Sequence, residues 1–427
     1  MTTSSLPALL PEVQATIETL QAMPEVQRAL ALCKDEHALR VEEQVELTRI
    51  PAPPFHEDAR ANAFAELLRK YGLEDVQITP VKGGAGNVTG RVPGAGNGPR
   101  LVLAAHLDSV FASDTDLTVR QEGPVYHAPG ISDDTCGLAA LLQFIRAMKA
   151  SGLKTVGEIV ICATVGEEGN GDIRGSKALF AGEHGIDGFI TIDAACVGEL
   201  LHSSTGSKRF RVTFEGPGGH SFLKFGAVAS AIHAMNRFGA IVADWQVPSS
   251  PITTFTIGVI EGGTSVNAIA SRCSAEVDLR SQANDEIDAL CAKLREAVAK
   301  AEADENARWG VSGEAAVKAS IEPIGDRPAG VGSPTSPVVQ SVRAAMAALG
   351  IELTRYAVGS TDHNIPLMLG IPAATIGGGG AEDNNHCLTE WWDSTDAYLG
   401  PQLSLLVALA LVGVPGRVEP LLTKHHG

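Results

Sequence analysis

No apolar run in this chain is long enough to cross a bilayer. The longest, 403–414, falls far short of the ~20 residues a spanning helix needs and reads as a buried C-terminal helix. The opening residues, MTTSSLPALLPEV, lack the basic region and long apolar core of a secretory leader, so export is not expected. Cations are in the minority. The 33 Lys and Arg stand against 50 Asp and Glu, and a net charge of −17 argues against nucleic acid or an anionic membrane as partner. Cysteines are few and odd in number. Seven of them, scattered without framework spacing, exclude a disulfide scaffold and suit a reducing compartment, so the expected location is cytoplasmic. Internal repeats and low-complexity tracts are missing. The glycine-rich stretch 83–98 has no phosphate-loop spacing and reads as a turn region.

What is present is the composition of a globular protein, 44% apolar and 19% charged, with chain enough for two or three domains. The first fifty residues have helical spacing up to PAPP at 51–54, and a second amphipathic helix covers 60–71. Buried-type runs then alternate with helical stretches: LVLAA at 101–105, a helix over 138–150, EIVICATV at 158–165 and GFITI at 188–192. That alternation predicts an α/β sheet covered by helices on both faces. From about residue 207 the order becomes strand, helix, strand, strand, helix, strand, the ferredoxin-like β-α-β-β-α-β unit. The α/β pattern returns after GDRPAGVGSP, with IPAATIGGGG as strand and glycine turn. The expected fold is thus α/β: a catalytic α/β/α domain with a mixed sheet, built from 1–206 and 323–427, and interrupted at 207–322 by an α+β lid or dimerisation domain.

Imidazoles and carboxylates recur where strands should end. They are His106 and Asp108 in HLDSV, Asp133 in SDDTCG, Glu167 and Glu168 in GEEGNG, Asp193 after FITI, and His386 in NNHCLTE. Such a mixed N/O set suits Zn²⁺ or a neighbouring divalent transition ion. A glutamate beyond the ligands can act as base toward a water. His106 and Asp108 share a face on an extended chain, so the aspartate can support the histidine's second N–H. A carboxylate at 133–134 can bind metal or cap the helix that follows. Adjacent glutamates point different ways, so one can bind an ion while the other faces the substrate. Ligands of open α/β sheets gather outside the carboxyl ends of strands, which is where these residues fall.

The motifs HLDSV, DD..G, GEEGNGD, the aspartate after FITI, GPGGHSF, EGGTSVNAI, GDRP, GSTDHNIP and H..TE run in one order from about residue 46 to 392. In that order the chain resembles the co-catalytic metallopeptidase family of peptidase T, carboxypeptidase G and acetylornithine deacetylase. The resemblance implies one ion held by His106, Asp133 and Asp193, and a second by Asp133, Glu168 and His386, with Asp133 bridging. It implies Glu167 as general base and Asp108 as the residue orienting His106. It also places His220 at the oxyanion of the partner subunit's site, Asn267 near the polar end of the substrate, Arg327 on a substrate carboxylate, and Gly359 and Ser360 along the floor. One or two divalent ions per subunit are expected, zinc first, with manganese or cobalt as alternatives.

One departure stands out: many members carry a basic residue after the bridging aspartate, where this chain has Thr135 and Cys136. Cys136 can be small-residue packing or the sign of an altered pocket. The expected function is cleavage of a C–N bond, peptide or N-acyl amide, in a small molecule or short peptide bearing a carboxylate. The alternative is an aminohydrolase that releases ammonia from an aromatic amino acid, as in 5-nitroanthranilate aminohydrolase. A homodimer or higher homo-oligomer through the inserted domain is expected.

Overall fold

The computed structural model describes residues 6–424, which divide into two compact units, one of residues 6–204 with 330–424 and the other Thr205–Ala329. The first unit is organised by an eight-stranded mixed sheet. Its spatial order is Glu74–Val81, Gly84–Val92, Glu158–Thr164, Arg100–His106, Gly188–Ile192, Ala373–Ile376, Glu199–Ser204 and Arg355–Gly359. The strands Glu158–Thr164, Arg100–His106 and Gly188–Ile192 are neighbours and parallel, with His106 opposite Thr164 and Ala104 opposite Thr191. Their carboxyl ends therefore open on one edge of the sheet, where the chemistry-bearing residues follow.

These central strands are buried on both faces, so they read as nearly unbroken apolar runs. Leu101, Leu103 and Ala105 pack into the larger core, while Val102 and Ala104 pack into a smaller one on the opposite face. The larger core includes helix Leu399–Val412, in which every residue from Gly400 to Val412 is buried. It also takes the apolar side of helix Thr135–Ser151. That helix starts sharply because the Asp134 side chain accepts the Gly137 N–H at 3.0 Å, and it stops at Gly152 in the left-handed conformation. No helix among the described residues is long and apolar enough to cross a membrane.

Two local expectations change. Residues 11–48 form three helices, Pro11–Gln21, Pro24–Asp35 and His37–Thr48, and the first break falls where Pro24 takes the first position of a new helix; residues 1–5 of the expected helical stretch lie outside the described residues. The glycine-rich stretch is only in part a turn region: residues 93–98 bend without regular structure, but Gly84–Val92 is a strand, antiparallel to both Glu74–Val81 and Glu158–Thr164. Its glycines serve close approach, since a Cβ on Gly86 would lie 2.3 Å from the Thr79 carbonyl oxygen.

The second unit has a four-stranded antiparallel sheet ordered Thr253–Gly262, Arg272–Ser281, Gly206–Glu215, Lys318–Arg327. Helices Ala231–Ala243 and Asn284–Trp309 pack on it around Phe214, Phe238, Leu279 and Leu294. The chain order is the β-α-β-β-α-β one, with a short ladder of Gly219–His220 against Ala268–Ile269 added. Its last strand runs on to Arg327, paired with Ser207, past the expected boundary at 322.

Candidate metal centre

Five segments of the first unit meet at the open sheet edge. His106 is the last residue of its strand, Glu167 and Glu168 follow Glu158–Thr164, and Asp193 follows Gly188–Ile192. Asp133 arrives from the loop before helix Thr135–Ser151, and His386 from the turn after Ala381–Asp383. Ligand atoms of His106, Asp133 and Asp193 lie within 4.8 Å of one another, as do those of Asp133, Glu168 and His386, and those of His106, Glu167 and Glu168. His106 Nε2 is 2.9 Å from Asp133 Oδ1 and 3.9 Å from Asp193 Oδ1. His386 Nε2 is 3.1 Å from Asp133 Oδ2 and 2.8 Å from Glu168 Oε1. Asp133 is thus common to two of the three groups.

The charge balance fits divalent ions. With neutral imidazoles, the carboxylates of Asp133, Glu167, Glu168 and Asp193 sum to −4 in a largely buried site, the charge of two divalent ions with opposite sign. In the ion-free protein the imidazoles carry the compensation. Hydrogen bonds to Asp133 and Glu168 push His386 up to about 11. Burial works against a protonated His106, yet the neighbouring carboxylates of Asp108 and Asp133 raise it well above the usual histidine range. Burial also pushes against the Asp133 carboxylate, but the two histidines hold it below the ordinary range, whereas burial leaves Asp193 raised to about 6. Oxygen and imidazole donors without sulfur suit Zn²⁺, Mn²⁺ or Co²⁺.

The division of labour between neighbours was not visible from residue type. Asp108 supports His106 through its backbone: the imidazole Nδ1 is 3.0 Å from the Asp108 carbonyl oxygen, while the nearest carboxylate oxygen is 3.7 Å away. With Nδ1–H donated there, Nε2 is the nitrogen directed at Asp133 and Asp193: in the ion-free protein it donates to Asp133 Oδ1, and deprotonated it would offer its lone pair to an ion. The Asp108 carboxylate instead accepts the N–H groups of Glu167 at 2.9 Å and Glu168 at 2.8 Å, fixing the glutamate pair. Asp133 and Asp134 also split the two roles open to them. Asp133 faces the histidines, and Asp134 caps the helix while accepting the His106 N–H at 2.9 Å.

Cys136 is packing. It is fully buried, its thiol donates to the Gly379 carbonyl at 3.4 Å, and Arg40 Nη2 lies 3.2 Å from its sulfur. Burial pushes the thiol up to about 12, so it is neutral at any working pH. Arg40 also donates to the Gly378 carbonyl at 2.9 Å and stacks over Trp392.

Several supporting residues were not singled out in the sequence: Thr361 and Gly166 lie inside GSTDHNIP and GEEGNGD, and Arg60 and Asn87 lie outside every motif. Thr361 Oγ1 donates to Asp193 at 2.5 Å, and Gly359 and Ser360, expected along the substrate floor, precede it, half-buried, at the end of strand Arg355–Gly359. Buried Arg60 donates to the Leu107 carbonyl between His106 and Asp108. Asn87 accepts the Val165 N–H, steadying the turn into the glutamates. Gly166 in that turn has φ +64°, and a Cβ there would meet Arg174 at 2.6 Å, so glycine is required on both counts. Polar contacts between segments distant in sequence could have marked these residues only through the fold.

Of the remaining expected residues, His220, Asn267 and Arg327 belong to the second unit. The short ladder sets His220 opposite Ala268, and the Ser221 N–H donates to the Asn267 carbonyl, so His220 and Asn267 are brought together and both are exposed. Arg327 is buried at the end of its strand.

Residues 102–411 match the sequence profile of Peptidase family M20/M25/M40. The chain belongs to this family. It is 25% identical over 349 residues to the uncharacterized protein YqjE of Bacillus subtilis, covering 79% of this chain and 89% of that one. Among solved structures, it superposes on aminopeptidase PepT of Bacillus cereus with a TM-score of 0.70 at 20% identity, over 87% of this chain and 97% of that one. With the YXEP protein of Bacillus subtilis, a dinuclear metal binding peptidase of the M20 family, the TM-score is 0.62 at 16% identity, over 89% and 99% of the chains. These likenesses establish the fold. Family membership makes the chain a hydrolase of C–N bonds, and the clustered histidines and carboxylates make it a metal-dependent peptide or amide hydrolase.

Proposed function

We propose that the chain hydrolyses a peptide or N-acyl amide bond in a small substrate carrying a free carboxylate. The observation that carries the reading is the pair of donor groups sharing Asp133, with Glu167 beside them. His106, Asp133 and Asp193 would hold one ion, and Asp133, Glu168 and His386 the other, zinc or else manganese or cobalt. Such ions supply Lewis-acid polarisation of a carbonyl and acidification of a water. Glu167 takes the proton of the attacking water and passes it to the departing amine. Asp108 keeps Glu167 and Glu168 in register by holding both of their N–H groups. By the resemblance, His220 stabilises the oxyanion in the partner subunit's site, Asn267, Gly359 and Ser360 contact the substrate, and the Arg327 guanidinium receives its carboxylate.

The reading includes a homodimer or higher homo-oligomer and a cytoplasmic location. All seven cysteines are free thiols, which supports a reducing compartment. The aromatic aminohydrolase alternative drew on Cys136 as a sign of an altered pocket, and the enclosed, neutral Cys136 lends it no support. The deciding experiment is a substrate screen on metal-reconstituted protein, in which dipeptides, tripeptides and acyl amino acids are compared with amino-substituted aromatic acids by amine or ammonia release. Release from peptides or acyl amino acids supports the proposal. Ammonia from aromatic amines alone overturns it in favour of the aminohydrolase.

A further inference from the structure

The H..TE motif contains a second polar residue that the reaction scheme leaves idle. Glu390 is fully buried, yet its carboxylate receives four donors, all from the loop that carries Asp133. Oε2 accepts the Gly130 N–H at 2.7 Å. Oε1 accepts the Ser132 N–H at 2.9 Å, the Ser132 hydroxyl at 2.8 Å and the Asp133 N–H at 3.1 Å.

Glu390 sits in the same tight turn as His386. The Cys387 N–H donates to the Asn384 carbonyl, the Glu390 N–H to the Cys387 carbonyl, and the Asn384 side-chain amide to the Thr389 carbonyl. Within that turn His386 has φ +64°, a left-handed backbone that a non-glycine residue keeps only when its surroundings fix it. One carboxylate therefore joins two segments some 250 residues apart in sequence, and each delivers one member of the pair His386 and Asp133, whose side chains lie 3.1 Å apart.

We propose that Glu390 is a positioning residue for the ion held by Asp133, Glu168 and His386: it sets the distance between the Asp133 loop and the His386 turn before any ion arrives. Two alternatives fall short. A capping or solubilising role does not need a fully buried carboxylate. A purely packing role would be met by an apolar side chain, which would leave three backbone N–H groups without acceptors. A prearranged donor pair lowers the ordering cost of ion binding. Residues that hold ligands in place typically contribute 10- to 100-fold in metal affinity.

The inference rests on the metal-centre reading above, and its test separates the two. Co²⁺ is titrated into metal-free wild-type, Glu390→Gln and Ser132→Ala proteins against a competing chelator, following both the affinity and the visible d–d spectrum. Circular dichroism of the metal-free forms is the control for folding. Glu390→Gln keeps the size but turns an NH₂ group against backbone N–H donors. It is expected to weaken the more loosely bound Co²⁺ by roughly 10- to 100-fold and to change its spectrum, with unchanged far-UV dichroism. Ser132→Ala removes only the hydroxyl bond and is expected to weaken it by about 2- to 5-fold.

Wild-type affinity and spectrum in Glu390→Gln overturn the proposal. Should Glu390→Gln not fold, Ser132→Ala decides alone, and an unchanged Co²⁺ affinity in it overturns the proposal. Failure of the wild-type protein to bind Co²⁺ would instead remove the metal-centre reading, and Glu390's role with it.

Discussion

Replacing Asp108 by asparagine tests how the site is held together. In the wild-type protein both carboxylate oxygens are used, one on the Glu167 N–H at 2.9 Å and the other on the Glu168 N–H at 2.8 Å, and the side chain is fully buried. Burial alone would push this carboxyl up, but the His106 imidazole 3.7 Å away and the two N–H groups hold it below the usual range, so it is ionised. Asparagine keeps one acceptor oxygen and presents an NH₂ group to the other N–H. One charge-assisted bond is lost and one buried donor is left facing another, at a cost of about 2–4 kcal/mol. That figure corresponds to amide exchange roughly 30- to 900-fold faster wherever this contact limits local opening. Hydrogen–deuterium exchange of a peptide covering 165–170, in metal-free protein, reads it directly. The His106 Nδ1–H, bonded to the residue-108 carbonyl at 3.0 Å, should keep its proton resonance, because the substitution leaves that carbonyl in place. Unchanged exchange at 165–170 together with a displaced His106 resonance would refute the argument. It would show that the carboxylate acts on the histidine, as its spacing in sequence suggests.

Glu167→Gln should reduce turnover by at least about 10²- to 10⁴-fold with bound metal unchanged by elemental analysis, and retained turnover would remove the general-base role. Asp133→Ala removes the donor common to two groups, so metal content should fall for both ions; unchanged stoichiometry would rule out the shared position. Asp362, fully buried beside Thr164, is raised by burial from 3.8 to about 6. A folded-state value above the unfolded one favours the protonated native form, so its contribution is complete below pH 3.8 and is lost as pH rises through 6, about 3 kcal/mol in all. The stability of metal-free Asp362→Asn relative to wild type should therefore improve by about that amount between pH 4 and pH 7.5, and a pH-independent difference in chemical denaturation contradicts the assignment. Cys136→Ala should leave kcat/KM within about 3-fold, and in the native wild-type protein Ellman's reagent should modify exposed Cys387 long before Cys136. A large loss of activity with metal retained would reinstate a chemical role for Cys136.

Much of the candidate site was legible because its residues have few other reasons to sit where they do. A histidine ending LVLAA, paired glutamates ending EIVICATV and an aspartate ending GFITI are polar groups at the ends of strands buried on both faces. Parallel neighbours bring such ends to one edge whatever the loops do. The hydrophobic pattern likewise predicted the two-part organisation, since strands covered on both faces read differently from the alternating strands of the inserted unit. What periodicity could not deliver were elements whose sequence serves close contact. Gly84–Val92 reads as a turn because glycine is usually a breaker, yet its glycines admit the backbone of a neighbouring strand.

Local sequence, then, determined which residues could be chemical, because burial of a carboxylate or imidazole at a strand end is costly without a cation to balance it. Tertiary structure decided which atom of each residue does what. Asp108 uses its carbonyl on His106 and its carboxylate on the glutamate pair, Asp134 and not Asp133 caps the helix, and Glu390 ties the Asp133 loop to the His386 turn. Each of these contacts joins groups whose separation along the chain says nothing about their distance in space, and a hydrogen bond is decided by tenths of an ångström and by direction, which only the packed fold supplies.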